Sequence, residues 1–170
     1  MKGKKILLLA CKLGIILVVA VAFSCISFNG ERVVVKAVVL EKINPQYTFV
    51  LSPIRAQGAS FTPRFGEQAT ALIRARLQAM SLKVTDFKPG SLTDFAYEVR
   101  VSVYEYDYIR KLETAYSAQL GFDIYDSSGA QVVTIMCFAG SAQSVANAMY
   151  LDKLVGLCVR ELAFAMLKLE

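Results

Sequence analysis

The chain contains no histidine, and this absence removes a large part of enzyme chemistry. Ser-His and Cys-His nucleophile pairs both need an imidazole as base, and histidine is also the commonest zinc ligand. Neither the dinucleotide-binding G-x-G-x-x-G motif nor the P-loop lysine motif occurs. The sequence therefore predicts no catalytic, cofactor-binding or metal-binding residues, and we expect a protein that is not an enzyme and needs no cofactor.

Acidic residues are missing from the first 24 positions, where the four lysines Lys2, Lys4, Lys5 and Lys12 stand. Those four account for most of the net charge of +5, because 15 basic and 14 acidic residues remain from Cys25 onward. A nucleic-acid-binding face needs an excess of basic residues to neutralise phosphates. We therefore expect no nucleic acid among the partners.

One apolar run follows these lysines, at residues 13–23 (LGIILVVAVAF), and the small residues of "SC" end it. A basic segment, an apolar run and then small residues are typical of a secretory signal. We predict that residues 1–24 are a signal peptide of the lipoprotein type, and that Cys25 is lipidated and attaches the chain to a membrane. Residues 25–30 are then a tether, and residues 31–170 a single α+β domain.

Two alternatives for the leader stay open. An uncleaved membrane anchor needs about 20 apolar residues, whereas residues 13–28 give a shorter uncharged stretch and a longer one includes Lys12. An ordinary signal peptide, with Cys25 incidental, is the other alternative.

Beyond the leader, Cys137 and Cys158 are compatible with a disulfide in an exported protein. Both lie in apolar runs, however, and buried free thiols are the preferred interpretation.

Hydrophobic periodicity predicts five strands and two helices. The strands cover residues 31–42, 47–54, 95–108, 114–125 and 130–140; the helices run from Thr62-Pro63 to near Ser81 and from Ser144 to about Leu169. The segment "KVTD" after the first helix is interpreted as a connection. We expect an α+β two-layer sandwich, with a mostly antiparallel sheet of four to five strands and two helices on one face.

The strand over residues 95–108 changes phase after Val103, where tyrosines replace valines as the large residues. Either a β-bulge near residues 103–104 or a strand that runs beyond the core explains the change. Tyr104, Tyr106, Tyr108 and Tyr116 are the candidate partner-binding residues, because tyrosine has a large apolar face and a polar tip. The alternative is that they line a half-buried sheet face.

Two acidic pairs carry the only carboxylate chemistry that the sequence suggests: Glu105 with Asp107, and Asp123 with Asp126. Two carboxylates are the minimum for glycosidase-type acid–base catalysis. Because Glu105 and Asp107 alternate with tyrosines, the preferred interpretation is the solvent-facing side of a strand.

The order of a lipobox-like cysteine, "YTFVLSP", "ATALIRARLQAMSLKVTD", "DFAYEVRVSV" and "DSSGAQVV" over residues 22–170 resembles small bacterial envelope lipoproteins with a compact α+β domain. Examples are the lipopolysaccharide-assembly lipoprotein that plugs an outer-membrane barrel, and a related uncharacterised group. The resemblance implies a lipid-anchored, non-catalytic binding or assembly factor with a protein partner in the envelope, and carries over Cys25 alone. Ile26 after Cys25 favours the outer membrane, facing the periplasm. The alternative is a single-pass membrane-anchored subunit of a transport or secretion complex with an exported domain.

Overall fold

The computed structural model of the chain describes residues 22–28, 31–87, 96–110 and 113–167. Within these ranges it contains eight strands and two helices. The strands are β1 (Ala22–Phe28), β2 (Glu31–Val39), β3 (Thr48–Leu51), β4 (Arg55–Gln57), β5 (Lys83–Asp86), β6 (Tyr97–Arg110), β7 (Glu113–Asp126) and β8 (Gln131–Ser141); the helices are α1 (Phe65–Ala79) and α2 (Ala148–Leu167). In the part of the chain so described, neither helix is long and apolar enough to cross a membrane.

The strands form one mixed sheet in the order β1-β2-β8-β7-β6-β3-β5. Pairing is antiparallel from β1 to β6, whereas β3 is parallel to both β5 and β6, and β4 is parallel to β6 beyond the end of β3. Pro53 has no backbone N–H, and the chain leaves the sheet between β3 and β4. The predicted α+β class with two helices is confirmed, but the sheet has eight strands and a parallel part.

Strand β5 was expected to be a connection because it has almost no hydrophobic pattern. Of its four residues only Val84 is buried. Helix α1 lies between β3 and β5 in the chain, and a helical crossover is the usual connection between parallel neighbours. Backbone hydrogen bonding to β3 therefore defines β5 as a strand, and the periodicity of its side chains does not predict it.

Strand β1 pairs with β2 from Ala22 opposite Ala37 to Phe28 opposite Glu31. Residues 25–28, which were predicted to be part of a tether, thus lie in strand β1 when the chain is uncleaved. The predicted cleavage point before Cys25 falls inside β1 and stays a prediction.

Both helices pack against one face of the sheet. The sheet side of the core includes Val33, Val35, Val99, Val101, Val103, Leu120, Phe122, Ile124, Ile135 and Cys137; the helices contribute Phe65, Ile73, Leu77, Leu154, Cys158 and Leu162, among others. Side chains alternate between the two faces of a strand. The opposite face of the sheet, called the open face below, therefore carries the alternate residues of the same strands. No described helix covers it.

The predicted β-bulge near residues 103–104 is wrong. Strand β6 pairs with β7 without interruption, from Tyr97 opposite Asp126 to Arg110 opposite Glu113. The alternation of faces continues through Val103, so that Glu105 takes the next core-facing position. The alternative, a strand that runs beyond the core, agrees with the exposure of residues 106–109.

Candidate functional site: a projecting hairpin on an open-faced sheet

Strands β6 and β7 extend beyond the strands on either side of them. Strand β4 pairs with β6 only as far as Tyr104, and β8 pairs with β7 only as far as Tyr116. Beyond these points β6 and β7 pair only with each other. Residues 106–110 and 113–115 thus extend past the neighbouring strands as a two-stranded arm, called the projecting hairpin below.

Large side chains on the projecting hairpin are exposed to solvent. The exposed fractions are 64% for Tyr106, 44% for Tyr108 and 81% for Ile109. Tyr106 and Tyr108 lie opposite Ser117 and Ala115 on the open face, because their positions alternate with the core-facing valines of β6. Ile109 is at an odd position and belongs to the other face of the arm. Each face of the arm therefore carries at least one exposed large apolar side chain, beside exposed charged residues such as Asp107.

The structure brings together three of the four tyrosines singled out from the sequence. Tyr104 is half-buried on the open face, one position before Tyr106 on that face. Tyr116 lies opposite Asp107 and is at an even position on β7, like the core-facing Leu120. Tyr116 is therefore on the opposite face of the sheet from Tyr104, Tyr106 and Tyr108.

Sequence reasoning missed Ile109 and Phe138 as exposed apolar residues. Phe138 lies on β8 on the open face, is 38% exposed, and has the ammonium of Lys36 5.8 Å from its ring centroid. Farther along the same face, the guanidinium of Arg100 lies 4.2 Å from the ring centroid of Tyr125. Both contacts have cation–π geometry. The alternation in "QVVTIMCFAG" places Phe138 on the other face of the sheet from the buried Cys137. That alternation is the signal that could have identified Phe138 as exposed.

The carboxylates of Glu105 and Asp107 do not face a common site. Glu105 is 4% exposed and accepts hydrogen bonds from the hydroxyl of Ser144 at 2.8 Å and the backbone N–H of Val145 at 2.6 Å. Asp107 is exposed on the projecting hairpin. Glu105 therefore orders the chain that enters α2, and its expected place on the solvent-facing side is corrected.

Asp123 and Asp126 are occupied in separate structural roles. Asp123 accepts hydrogen bonds from the amide of Gln131 at 2.8 Å and from the hydroxyl of Thr134. Asp126 accepts the backbone N–H groups of Ser128 and Ala130, each at 2.9 Å, and so closes the β7–β8 turn. Hydrogen bonds, that from the Ser128 side chain foremost, lower the pKa of Asp126. Neither aspartate is placed as half of a catalytic pair.

An open cleft of 510 Å³ lies where the chain leaves the sheet between β3 and β4. In its lining, the carboxylate of Glu98 accepts Arg100 Nε at 2.9 Å, Arg100 Nη2 at 2.7 Å and the Ser52 hydroxyl at 2.5 Å. The Arg100 hydrogen bond lowers the pKa of Glu98, while burial opposes that effect. Because this bidentate pair neutralises itself, the described lining of the cleft has no carboxylate free to move a proton.

Cys137 on β8 and Cys158 on α2 are buried free thiols, in agreement with the preferred interpretation. Burial raises the pKa of the Cys158 thiol well above its ordinary value, and contact with Cys137 adds to the effect. In the ranges that the structure describes, no group of three or more Cys, Asp or Glu side chains is placed to hold a metal ion.

No protein-family model and no curated protein matches the chain. Among solved structures, a PelC dodecamer from Paraburkholderia phytofirmans is 16% identical, with a TM-score of 0.58 over 75% of this chain and 94% of that chain. A variant of that dodecamer, from the same organism, gives 17% and 0.56 over the same shares. A PDZ domain protein from Parabacteroides distasonis is 13% identical, with a TM-score of 0.46 over 75% of this chain and 35% of that chain. The similarity to the two PelC structures is one of fold.

Proposed function

We propose that this chain is a lipid-anchored lipoprotein of the bacterial cell envelope that acts as a non-catalytic binding or assembly factor. The observation that carries the proposal is the sheet itself, which has helices on one face and exposed aromatic side chains on the other. Monomeric proteins rarely leave such a surface without a use. The occupied carboxylates support a role other than acid–base catalysis.

The lipid anchor is proposed on Cys25, on the strength of the four lysines and the apolar run that precede it. A single acyl chain gives only marginal membrane binding, whereas the several chains of a bacterial lipoprotein hold it stably. With Ile26 after the acylated residue, we propose the outer membrane, facing the periplasm, as its location.

Palmitate labelling in cells tests the anchor. We expect label on the wild-type protein, no label on Cys25→Ala, and a mature mass that begins at Cys25. Equal labelling of both proteins would contradict the anchor. A mass that still includes Met1 would favour the alternative, a single-pass membrane-anchored subunit of a transport or secretion complex.

Assembly with further copies of the chain is the form of partnership that we propose, and the fold shared with a PelC dodecamer supports it. The open face offers the contact surface, because the aromatic side chain of Phe138 is exposed on it. Aromatic residues are enriched in such interfaces, and charged ones are depleted at their centres.

Native mass measurements on the detergent-solubilised protein test this assembly. Phe138→Glu should lower the oligomeric mass, because it places a carboxylate in the contact. Phe164→Glu is the matched control, since Phe164 is 47% exposed on α2, away from the open face. A wild-type protein that stays monomeric at all concentrations, or equal effects of the two variants, would contradict self-assembly through this face.

A further inference from the structure

The projecting hairpin has features that a docking surface for one protein partner would not need. A partner seated on the open face would contact Tyr106 and Tyr108, whereas Ile109 lies on the other face and is 81% exposed. A lipid bilayer surrounds an inserted tip on every side. Exposed apolar residues on both faces of a two-stranded arm therefore favour a bilayer as the occupant.

The residue types also suit the interfacial layer of a bilayer. Tyrosine is enriched at membrane–water interfaces, where its ring lies among headgroups and its hydroxyl stays hydrated. Asp107 and Glu113 are exposed on the same arm, and charged groups are costly in the hydrocarbon core. The arm is thus suited to shallow insertion.

The register of the sheet relates this arm to Cys25. Cys25 lies opposite Val34, Val34 opposite Phe138, Phe138 opposite Gln119, and Gln119 opposite Tyr104. These residues form one row across five strands, about 19 Å from end to end at the usual strand spacing. The projecting hairpin extends beyond this row at the end of the sheet where β1 joins β2. A membrane attached at Cys25 therefore lies within reach of the arm.

We propose that the projecting hairpin inserts Tyr106, Tyr108 and Ile109 into the headgroup region of the bilayer that holds the anchor. The inference rests on the proposed function, since the anchor supplies the membrane. The hairpin is a second contact that fixes the orientation of the domain relative to the lipid surface. In that orientation the C-terminal end of α2 and the part of the open face farthest from the projecting hairpin stay outside the bilayer.

The chain has no tryptophan, so that one introduced indole is an unambiguous reporter. We propose to measure Tyr108→Trp in the full-length gene product, reconstituted in phosphatidylethanolamine–phosphatidylcholine vesicles with or without brominated acyl chains. Phe164→Trp is the matched control, because the two side chains are similarly exposed, 44% and 47%. Fluorescence is measured only on protein that floats with the vesicles, whether acyl chains on Cys25 or an uncleaved leader attach it to them.

The emission of the Tyr108→Trp protein should shift to shorter wavelength on vesicles and lose intensity when brominated lipid is present, and that of the control should do neither. Adding Ile109→Asp to the reporter protein should abolish the quenching, whereas adding Phe164→Asp, at a residue 47% exposed near the C-terminal end of α2, should leave it unchanged. Emission from the floated reporter that brominated lipid does not quench would overturn the proposal, and a blue shift without quenching would indicate a protein partner instead. Palmitate labelling reports acylation separately, so failure of the anchor and failure of the insertion are distinguished.

Discussion

The carboxylate of Glu105 accepts the backbone N–H of Val145 at 2.6 Å and so joins the last core-facing position of β6 to the chain that enters α2. The other oxygen accepts the hydroxyl of Ser144. Both oxygens of a nearly buried carboxylate are therefore used within the fold. A partly satisfied polar group in the same place would be costly, because water does not reach it.

Glu105→Gln should destabilise the protein by about 1–3 kcal/mol. The amide keeps one acceptor oxygen for the Val145 N–H, while its NH₂ group faces the Ser144 hydroxyl, which then accepts instead of donating. Two hydrogen bonds to a carboxylate are thus replaced by weaker neutral ones. The free energy of unfolding in urea measures the effect. Asp107→Asn is the control, because an exposed residue should change stability by no more than about 0.5 kcal/mol. Equal effects would show that Glu105 does not order the entry to α2.

Arg76 on α1 and Asp152 on α2 form an ion pair between the two helices, with Arg76 Nε donating to the carboxylate at 2.7 Å. The side chains are 46% and 37% exposed. Exposed pairs contribute little, and Asp152→Asn should cost no more than about 1 kcal/mol at neutral pH.

The pH dependence of that cost has a defined sign. The hydrogen bond from Arg76 lowers the pKa of Asp152 in the folded protein. The stabilisation is therefore present above the unfolded value of about 3.9 and is lost as the pH falls through the folded pKa. Thermal unfolding of the wild type and Asp152→Asn should differ at pH 7; the difference should begin to shrink below about pH 4 and vanish only below the folded pKa of Asp152. A difference that persists in acid would assign the effect to packing.

The strands that sequence analysis found are those with a long hydrophobic alternation. β6 and β8 each bury five alternate residues and β7 buries four, and burial of that kind is what hydrophobic periodicity predicts. β4 buries none of its three residues and β5 buries one, so their place in the sheet depends on backbone pairing with residues distant in sequence. The parallel part of the sheet was for this reason not predictable.

The candidate site was predicted in part, for a related reason. The tyrosines stood out by type, but the register with β7 and β8 decides which of them share a face and which extend beyond the sheet. The prediction that Glu105 lies on the solvent side rested on its alternation with tyrosines. Its core-facing parity, continued from Val103, was the better indicator, and the compensating donors at Ser144 and Val145 are some 40 residues away in the chain.

Arg100 is the main reason that Glu98 has a lowered pKa, with the charge of Arg55 the smallest of the named contributions. Arg100→Met should therefore raise the pKa of Glu98 more than Arg55→Met does. Carboxyl-carbon chemical shifts followed by NMR from pH 2 to 7 measure both. Neither substitution removes the hydroxyl of Ser52 that donates to Glu98, so that contribution should be the same in both variants. If Arg55→Met had the larger effect, long-range charge would control this group in place of the bidentate contact.

The thiols of Cys137 and Cys158 should not react in the folded protein. Each is 1% exposed or less, and burial raises the pKa of Cys158, whereas the thiolate is the reactive form. We expect peptide mapping after maleimide treatment to find both cysteines unmodified in buffer and both modified in concentrated urea. Met149→Cys supplies a positive control, because its position is 85% exposed and should be modified at once. Modification of Cys137 or Cys158 in buffer would show that the contact between α2 and β8 opens readily. Failure to modify them in urea until a reductant is added would instead show that the natural protein joins them in a disulfide, since an exported domain meets the oxidising conditions that such a bond requires.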